Sequence, residues 1–182
     1  HSFDSSLNSI TTGNWCPYCC FSSKIFCDKY KENHENCQHC FNKSFYSSKL
    51  LTPIKKNKIK DWWHLTKNGN VKPWEVFKSK GIVKFWFKCD NCPHSFDSML
   101  CKITNGSWCP YCTNKRMCEN NEDKHCITCY NKSFASLEDL TPITKNKKVD
   151  CWHPTKNGDA KPWELFKNKN KVKFWFKCDN CP

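Results

Sequence analysis

Cysteine is the feature of this sequence that most restricts its fold, because most cysteines occur in pairs separated by two residues. The chain contains 17 Cys in 182 residues, a density typical of small domains that are stapled by disulfides or metal ions. The hydrophobic fraction is only 38%. We therefore predict one or two small domains and exclude a large enzyme core.

The cysteine pattern favours metal-bound thiolates over a disulfide framework, because the total is odd and the pairs have the C-x-x-C spacing. The first ten residues also lack the charged and then apolar order of a secretory signal. We therefore expect structural Zn²⁺ as the cofactor and a reducing intracellular compartment, such as the cytoplasm, the nucleus or a viral factory, as the location. No apolar run approaches the roughly 18 residues of a membrane span, so we expect no membrane partner.

The sequence also repeats itself, and this organises the rest of the interpretation. Three segments recur, two at an offset of 93 residues and one at an offset of 89: 1–5 with 94–98, 15–19 with 108–112, and 83–93 with 172–182. We therefore predict two units, residues 1–93 and 94–182.

The division between the units falls inside a predicted metal site. Cys92-Pro93 continues directly into His94, and joining residue 182 to residue 1 would recreate that junction. We therefore expect the chain to be a window on a longer array or one subunit of a head-to-tail polymer. The alternative is an arbitrary ordered fragment.

One complete set of four thiolates lies across the middle of the chain. Zinc prefers four tetrahedral sulfur or nitrogen ligands, and two C-x-x-C pairs on separate loops supply them without a large core. The two pairs are separated by sixteen residues. We predict a zinc site formed by Cys89, Cys92, Cys109 and Cys112.

Two further C-x-x-C pairs are predicted half-sites. Cys16 and Cys19 correspond to the second half of the complete site, and Cys178 and Cys181 correspond to its first half. Unpaired thiolates at these positions would be reactive and poorly stabilised. We therefore expect a neighbouring unit to complete each pair with zinc.

A second cluster of three cysteines recurs and needs a fourth ligand. Its members are Cys27, Cys37 and Cys40 in the first unit and Cys118, Cys126 and Cys129 in the second. The histidines that recur are His64 with His153, and His1 with His94. We favour His64 and His153, because Lys-Asn-Gly turns follow them, whereas His94 lies two residues from a cysteine assigned to the other site.

Secondary structure is predicted to be short. The aromatic segment 84–88 predicts a strand, and Asn105-Gly106 predicts a turn into a second strand that leads to Trp108, giving a β-hairpin with two cysteine knuckles. Residues 133–140 predict one short helix per unit, and 162–166 a further helical turn. The expected fold class is therefore small, zinc-stapled α+β.

These motifs resemble the treble-clef zinc-ribbon repeats that are abundant in giant DNA viruses. The matching residues are Cys89, Cys92, His94, Phe96, 108–112 and 152–158. The resemblance covers both units and implies tandem treble-clef repeats with structural zinc. Related repeats often carry a histidine where this chain has Ser48 and Leu137, so the resemblance leaves the fourth ligand of the three-cysteine clusters open.

Charge indicates the class of partner. The formal net charge of +13 and the nine Trp favour polyanions, with base stacking on the indoles. The candidate nucleic-acid contacts are lysines in two runs: Lys55, Lys56, Lys58 and Lys60, and Lys169, Lys171 and Lys173. The same tryptophans recur at fixed positions, as core residues of small zinc domains would.

The predicted function is structural. An HNH-like nuclease would need a His/Asn/Asp constellation outside the zinc ligands, and the sequence offers none, so we expect no enzyme and no small-molecule substrate. We expect end-to-end assembly with copies or repeats of itself into an array or filament, such as a virion component. The alternative is a basic zinc-ribbon protein that binds DNA or RNA.

Overall fold

The computed structural model describes residues 1–13, 15–19, 25–78, 81–119, 126–168 and 171–181. Contacts divide the chain into two compact units: His1–Asp90 with Ser95–Trp108, and Asn91–His94 with Cys109–Pro182. The segment from Ser95 groups with the first unit because it pairs with a strand of that unit.

The α-helices described in the first unit are only five or six residues long. They are α1 (Leu7–Thr11), α2 (Asp28–Glu32), α3 (Gln38–Lys43) and α4 (Leu100–Thr104), with 3₁₀ turns at Phe45–Ser47, Ile59–Trp62 and Pro73–Glu75. Helices this short are not stable alone, since nucleation is costly and few hydrogen bonds follow it. Their stability must come from packing and from the ligands that they carry.

A two-stranded antiparallel sheet lies in the first unit. Strand β1 (Lys84–Lys88) pairs with β2 (Ser95–Met99), and Phe87 stands opposite Phe96. The predicted strand at 84–88 is confirmed. The second strand precedes α4 rather than leading into Trp108, because the Asn105-Gly106 signal ends that helix: Gly106 has a φ of +83° and donates its N–H to the Ile103 carbonyl.

The core of the first unit is aromatic. Residues with no more than 1% exposure include Phe45, Phe87, Phe96, Leu100 and Ile103. Phe87 contacts Phe45, Phe96 and the indoles on either side, with ring centroids 5.6–5.9 Å apart. A small number of large rings thus replaces the wider aliphatic core of a larger domain.

The second unit contains α5 (Ile127–Tyr130) and 3₁₀ turns at Phe134–Ser136, Lys148–Cys151 and Pro162–Glu164. The helix expected over 133–140 is only the turn at 134–136. Ser133 pairs with Phe166, and the Phe134 N–H donates to the Leu165 carbonyl at 2.7 Å, so this segment is held by a neighbouring chain segment. The turn predicted at 162–166 is present.

The short helices and the two-stranded sheet found in the described residues make this a small α+β fold, as predicted. Within the described ranges, none of the helices has the length and apolar character needed to cross a bilayer.

Candidate metal centres

Four thiols meet where the hairpin loop approaches the segment after α4. The Sγ atoms of Cys89, Cys92, Cys109 and Cys112 all lie within 4.8 Å of one another, and those of Cys92 and Cys109 are 3.6 Å apart. Tetrahedral zinc with bonds of about 2.3 Å places its sulfur ligands roughly 3.8 Å apart. The donor set and its spacing therefore fit Zn²⁺, and the structure brings together the four residues expected from the sequence.

A buried carboxylate holds this cysteine knuckle in place. Asp90 is 6% exposed and accepts hydrogen bonds from the Thr52 hydroxyl, from Asn57 Nδ2 at 3.3 Å and from Trp108 Nε1 at 3.1 Å. Burial of a carboxylate is costly unless donors compensate it. Sequence reasoning missed this residue, although the repeated Cys-Asp-Asn-Cys motif contained the signal.

The first three-cysteine cluster gains a histidine from the start of the chain. His1, Cys27, Cys37 and Cys40 place their ligand atoms within 4.8 Å of one another. His1 Nε2 lies 3.1 Å from Cys37 Sγ, and the Sγ atoms of Cys27 and Cys40 are 3.6 Å apart. Helix α3 begins directly after Cys37, so the first helical turn directs two thiols to one point.

Without a metal ion, burial of this cluster disfavours the charged thiolate form of its cysteines. Desolvation, together with hydrogen bonding to Cys27 and Cys37, raises the pKa of the Cys40 thiol to about 12. Zn²⁺ supplies the positive charge that allows such a thiol to bind as thiolate, and its binding releases the proton.

The second cluster has the same composition. Its ligand atoms also lie within 4.8 Å of one another and belong to His94, Cys118, Cys126 and Cys129. The His94 Nε2 is 3.3 Å from Cys126 Sγ and 3.7 Å from Cys129 Sγ. Desolvation raises the pKa of the Cys129 thiol to about 12, with Cys118 contributing. The donor set again fits tetrahedral zinc.

The His94 ring contacts cysteines of two clusters. Its Nδ1 lies 3.1 Å from Cys92 Sγ, while its Nε2 faces the second cluster, and its face stacks on Tyr111 with centroids 4.0 Å apart. A ligating imidazole whose other nitrogen is held by a hydrogen bond has a defined orientation and tautomer. Proximity to Cys92 therefore positions this ligand.

The fourth ligands differ from the sequence-based expectation, which was His64 and His153. The Nδ1 of His64 accepts the N–H of Lys67 at 3.3 Å, and that of His153 accepts the N–H of Lys156 at 3.2 Å. These imidazoles close the turns that follow them. Burial, with nearby Lys88 and Lys67, lowers the pKa of His64, which favours the neutral ring as acceptor.

The two predicted half-sites lie outside these clusters. Within the described residues, neither Cys16 with Cys19 nor Cys178 with Cys181 belongs to a group of three or more metal ligands. Cys16 is buried, and the other three are exposed. Each pair therefore offers two sulfur ligands where zinc needs four.

The candidate nucleic-acid lysines are mostly exposed. Lys55, Lys56, Lys58, Lys171 and Lys173 are exposed, and Lys60 is half-buried over the Tyr46 ring, 3.8 Å from its centroid. Lys169 lies outside the described residues.

Comparison with known families agrees with this chemistry. Residues 59–115 match the model of a family described as "Probable Treble clef zinc finger domain". No curated protein matches the chain. The matched region covers less than half of the chain. Together with the three ligand clusters it supports a zinc-binding protein with a treble-clef zinc-finger region, and the prediction of structural zinc is confirmed.

Proposed function

We propose that this protein is a non-enzymatic structural protein whose tandem zinc-stapled repeats join end to end into an array. Such an array could form part of a virion or of an intracellular protein layer. This proposal rests mainly on the two half-sites, each of which has two cysteines. Cys16 and Cys19 have the sequence context of Cys109 and Cys112, and Cys178 and Cys181 have that of Cys89 and Cys92. A neighbouring unit, either a further repeat or a second copy, can therefore complete each pair with the ligands that zinc requires.

Recurring backbone contacts support the tandem arrangement. Three isolated β-bridges of the first unit recur 89 residues later. The bridges of the first unit are Ser44 with Phe77, Leu51 with Lys58, and Trp63 with Phe87. Their counterparts in the second unit are Ser133 with Phe166, Leu140 with Lys147, and Trp152 with Phe176. Each repeat is thus a small unit with the same internal contacts, and such units form quasi-one-dimensional arrays by contacting neighbours.

The ligand sets favour a structural over a catalytic role. Each of the three clusters supplies four protein donors, whereas catalytic zinc keeps one position for water or substrate. A zinc of this kind holds chain segments together. A reducing compartment follows as part of the proposal, because the thiols must remain available to the metal.

Native mass spectrometry of the zinc-loaded chain tests the assembly. We expect three zinc ions per isolated chain, association that increases with concentration, and one additional zinc for each contact between copies. A monomer that holds four zinc ions at every concentration, or a chain that never associates, would contradict the proposal.

Mixing two blocked variants tests the direction of the contact. Cys16→Ser with Cys19→Ser removes one half-site, and Cys178→Ser with Cys181→Ser removes the other. Each variant alone is expected to remain monomeric, while an equimolar mixture forms a 1:1 dimer, because head-to-tail contacts join two different surfaces. Cys101→Ser, outside all clusters, is the matched control and should assemble normally.

Nucleic-acid binding is the second candidate, favoured by lysines placed over half-exposed or exposed indoles. Lys67 Nζ lies 4.2 Å from the Trp86 ring centroid, and Lys156 Nζ lies 4.9 Å from that of Trp175. Such positions combine a phosphate-binding charge with a stacking surface. Affinity for DNA or RNA should then fall steeply between about 50 and 200 mM salt. Absence of retention on either polymer at low salt would exclude this candidate.

A further inference from the structure

We propose that a groove in the first unit binds a phosphate group through Lys49, Lys78 and the buried hydroxyl of Ser48. The groove lies between the residues that follow α3 and the end of α4, and its volume is about 710 Å³, a size typical of small-molecule sites. We call it the lysine groove. Its polar lining residues are Asn42, Ser47, Ser48, Lys49, Lys78 and Thr104.

Backbone contacts within the first unit bring these residues together. The Lys78 N–H donates to the Lys43 carbonyl at 3.1 Å, and Ser44 forms a β-bridge with Phe77. The segment that carries Lys78 therefore runs beside the end of α3. Ser48 directly follows the 3₁₀ turn after that helix, so both sides of the groove are held by hydrogen bonds.

The lysine groove has two positive charges, and none of its lining residues is acidic. Lys49 is exposed and Lys78 is half-buried, and in the described part of the chain neither ammonium group has an ion-pair partner. Burial, together with the charge of Lys49, lowers the pKa of Lys78. A bound anion would relieve the repulsion between the two ammonium groups and compensate the burial.

A buried hydroxyl in the same groove points to a ligand with acceptor oxygens. Ser48 is 8% exposed. Its Oγ accepts the Leu50 N–H at 3.3 Å, whereas its own O–H has no acceptor among the described residues. A buried hydroxyl without an acceptor costs free energy, so a phosphate oxygen in the groove would complete its hydrogen bonding.

Asn42 supplies a further donor. Its Oδ1 accepts a hydrogen bond from Gln38 Nε2 at 2.8 Å, which orients the amide, and its Nδ2 has no acceptor within the ranges that the structure describes. The groove thus offers two ammonium groups, a hydroxyl and an amide N–H. A phosphate group presents at least three strong acceptor oxygens and suits such a set of donors.

The second unit keeps the backbone frame of this groove. Lys167 corresponds to Lys78, and its N–H donates to the Lys132 carbonyl at 3.1 Å, as the Lys78 N–H does to Lys43.

The charge at the corresponding positions is nevertheless reversed. Glu138 stands in place of Lys49, and Leu137 in place of Ser48. The Glu138 carboxylate forms an ion pair with Lys147 at 2.6 Å. The anion site is therefore a local feature of the first unit and does not follow from the basic composition of the whole chain.

Titration of the dilute, zinc-loaded chain with inorganic phosphate, followed by amide chemical shifts, tests the site. We expect the largest shifts at Ser48, Lys49 and Lys78. Lys49→Glu should weaken binding at least tenfold, because it replaces an attractive charge by a repulsive one. Lys29→Glu is the matched control, since it makes the same change of charge at an exposed lysine outside the groove, and it should change the affinity less than about twofold.

Ser48→Ala separates a built site from general attraction to lysines, because it leaves the net charge unchanged. The affinity for phosphate should fall about tenfold, as expected for the loss of a hydrogen bond to a charged group. Lys78→Met, which keeps the apolar stem of the side chain, should weaken binding by at least the same factor. Amide shifts outside the groove verify that each variant remains folded.

Three results would overturn the proposal. They are phosphate-induced shifts spread over all exposed lysines, equal affinities for Lys49→Glu and Lys29→Glu, and an unchanged affinity for Ser48→Ala.

A short oligothymidylate without terminal phosphates identifies the source of the phosphate group. Groove-dependent binding that competes with inorganic phosphate would assign a nucleic-acid backbone, whereas binding of inorganic phosphate alone would assign a free or terminal phosphate. Binding of neither probe would overturn the site. The measurement uses the monomer, so its failure leaves the end-to-end contact standing, and a chain that never associates leaves the phosphate site standing.

Discussion

The segments 84–88 and 173–177 have the same sequence, Lys-Phe-Trp-Phe-Lys, and different environments. The first is strand β1, with Phe87 fully buried between β2 and the aromatic core. The second lies outside any named strand and leaves Phe176 half exposed. An identical local sequence therefore becomes a paired strand where a partner segment covers it, because a strand needs both a hydrogen-bonding partner and a buried face.

The contacts that do not depend on β2 are the same in both places. Asn68 Oδ1 accepts the Trp86 N–H at 2.8 Å, and Asn157 Oδ1 accepts the Trp175 N–H at 2.7 Å. The turn after each recurring histidine thus binds its aromatic segment in both units. What distinguishes the two segments is the second layer of packing from Phe96 and Trp108.

Removal of zinc is expected to unfold both units, so that the two segments no longer differ in environment. Structural zinc contributes about 10–16 kcal/mol of apparent binding free energy in small domains, more than a core of this size can supply. Treatment with a strong chelator should abolish the near-ultraviolet circular dichroism, and zinc should restore it. A metal-free chain with an unchanged, cooperative thermal transition would contradict the expectation.

Substitution of the histidine after β1 should remove one metal. His94→Ala deletes a ligand of the second cluster, so we expect the zinc content of the isolated chain to fall from three ions to two, or that ion to exchange rapidly with a chromogenic chelator. His64→Ala is the matched control. It should retain all three ions and cost about 1 kcal/mol of folding free energy, through the lost turn hydrogen bond.

The two phenylalanines should differ in their contribution to stability. Phe87→Ala is expected to lower the free energy of unfolding by about 3–5 kcal/mol, because the ring is fully buried. Phe176→Ala should cost less than half as much in dilute, monomeric protein. Urea denaturation followed by tryptophan fluorescence gives both values, and equal costs would mean that Phe176 is covered in solution.

The smallest expected difference concerns the two indoles. Trp108→Phe removes the N–H that compensates buried Asp90, so it should cost about 1.5–3 kcal/mol of folding free energy. Trp15→Phe should change monomer stability by less than about 0.5 kcal/mol, because its side chain is largely exposed. The same urea titration tests both, and a large loss for Trp15→Phe would place its indole in an intramolecular contact.

Sequence reasoning identified the thiol ligands because their spacing is local. Two cysteines separated by two residues are brought together by a single turn, as at Cys37, which caps α3, and Cys40 in the first turn of that helix. The strand at 84–88 was also predictable from its aromatic residues. The helix expected over 133–140 was not correct, since packing of Ser133 against Phe166 outweighs a weak local preference.

The sequence by itself determined the chemistry of this protein: cysteine pairs, their affinity for zinc, the repeated motifs and the small α+β class. Only the tertiary structure decided that His1 and His94 complete the three-cysteine clusters and that Asp90 holds the knuckle. The physical reason is the range of the interactions. Spacing along the chain governs which thiols meet within a turn, whereas a distant imidazole or carboxylate reaches its partner only through the path of the folded backbone.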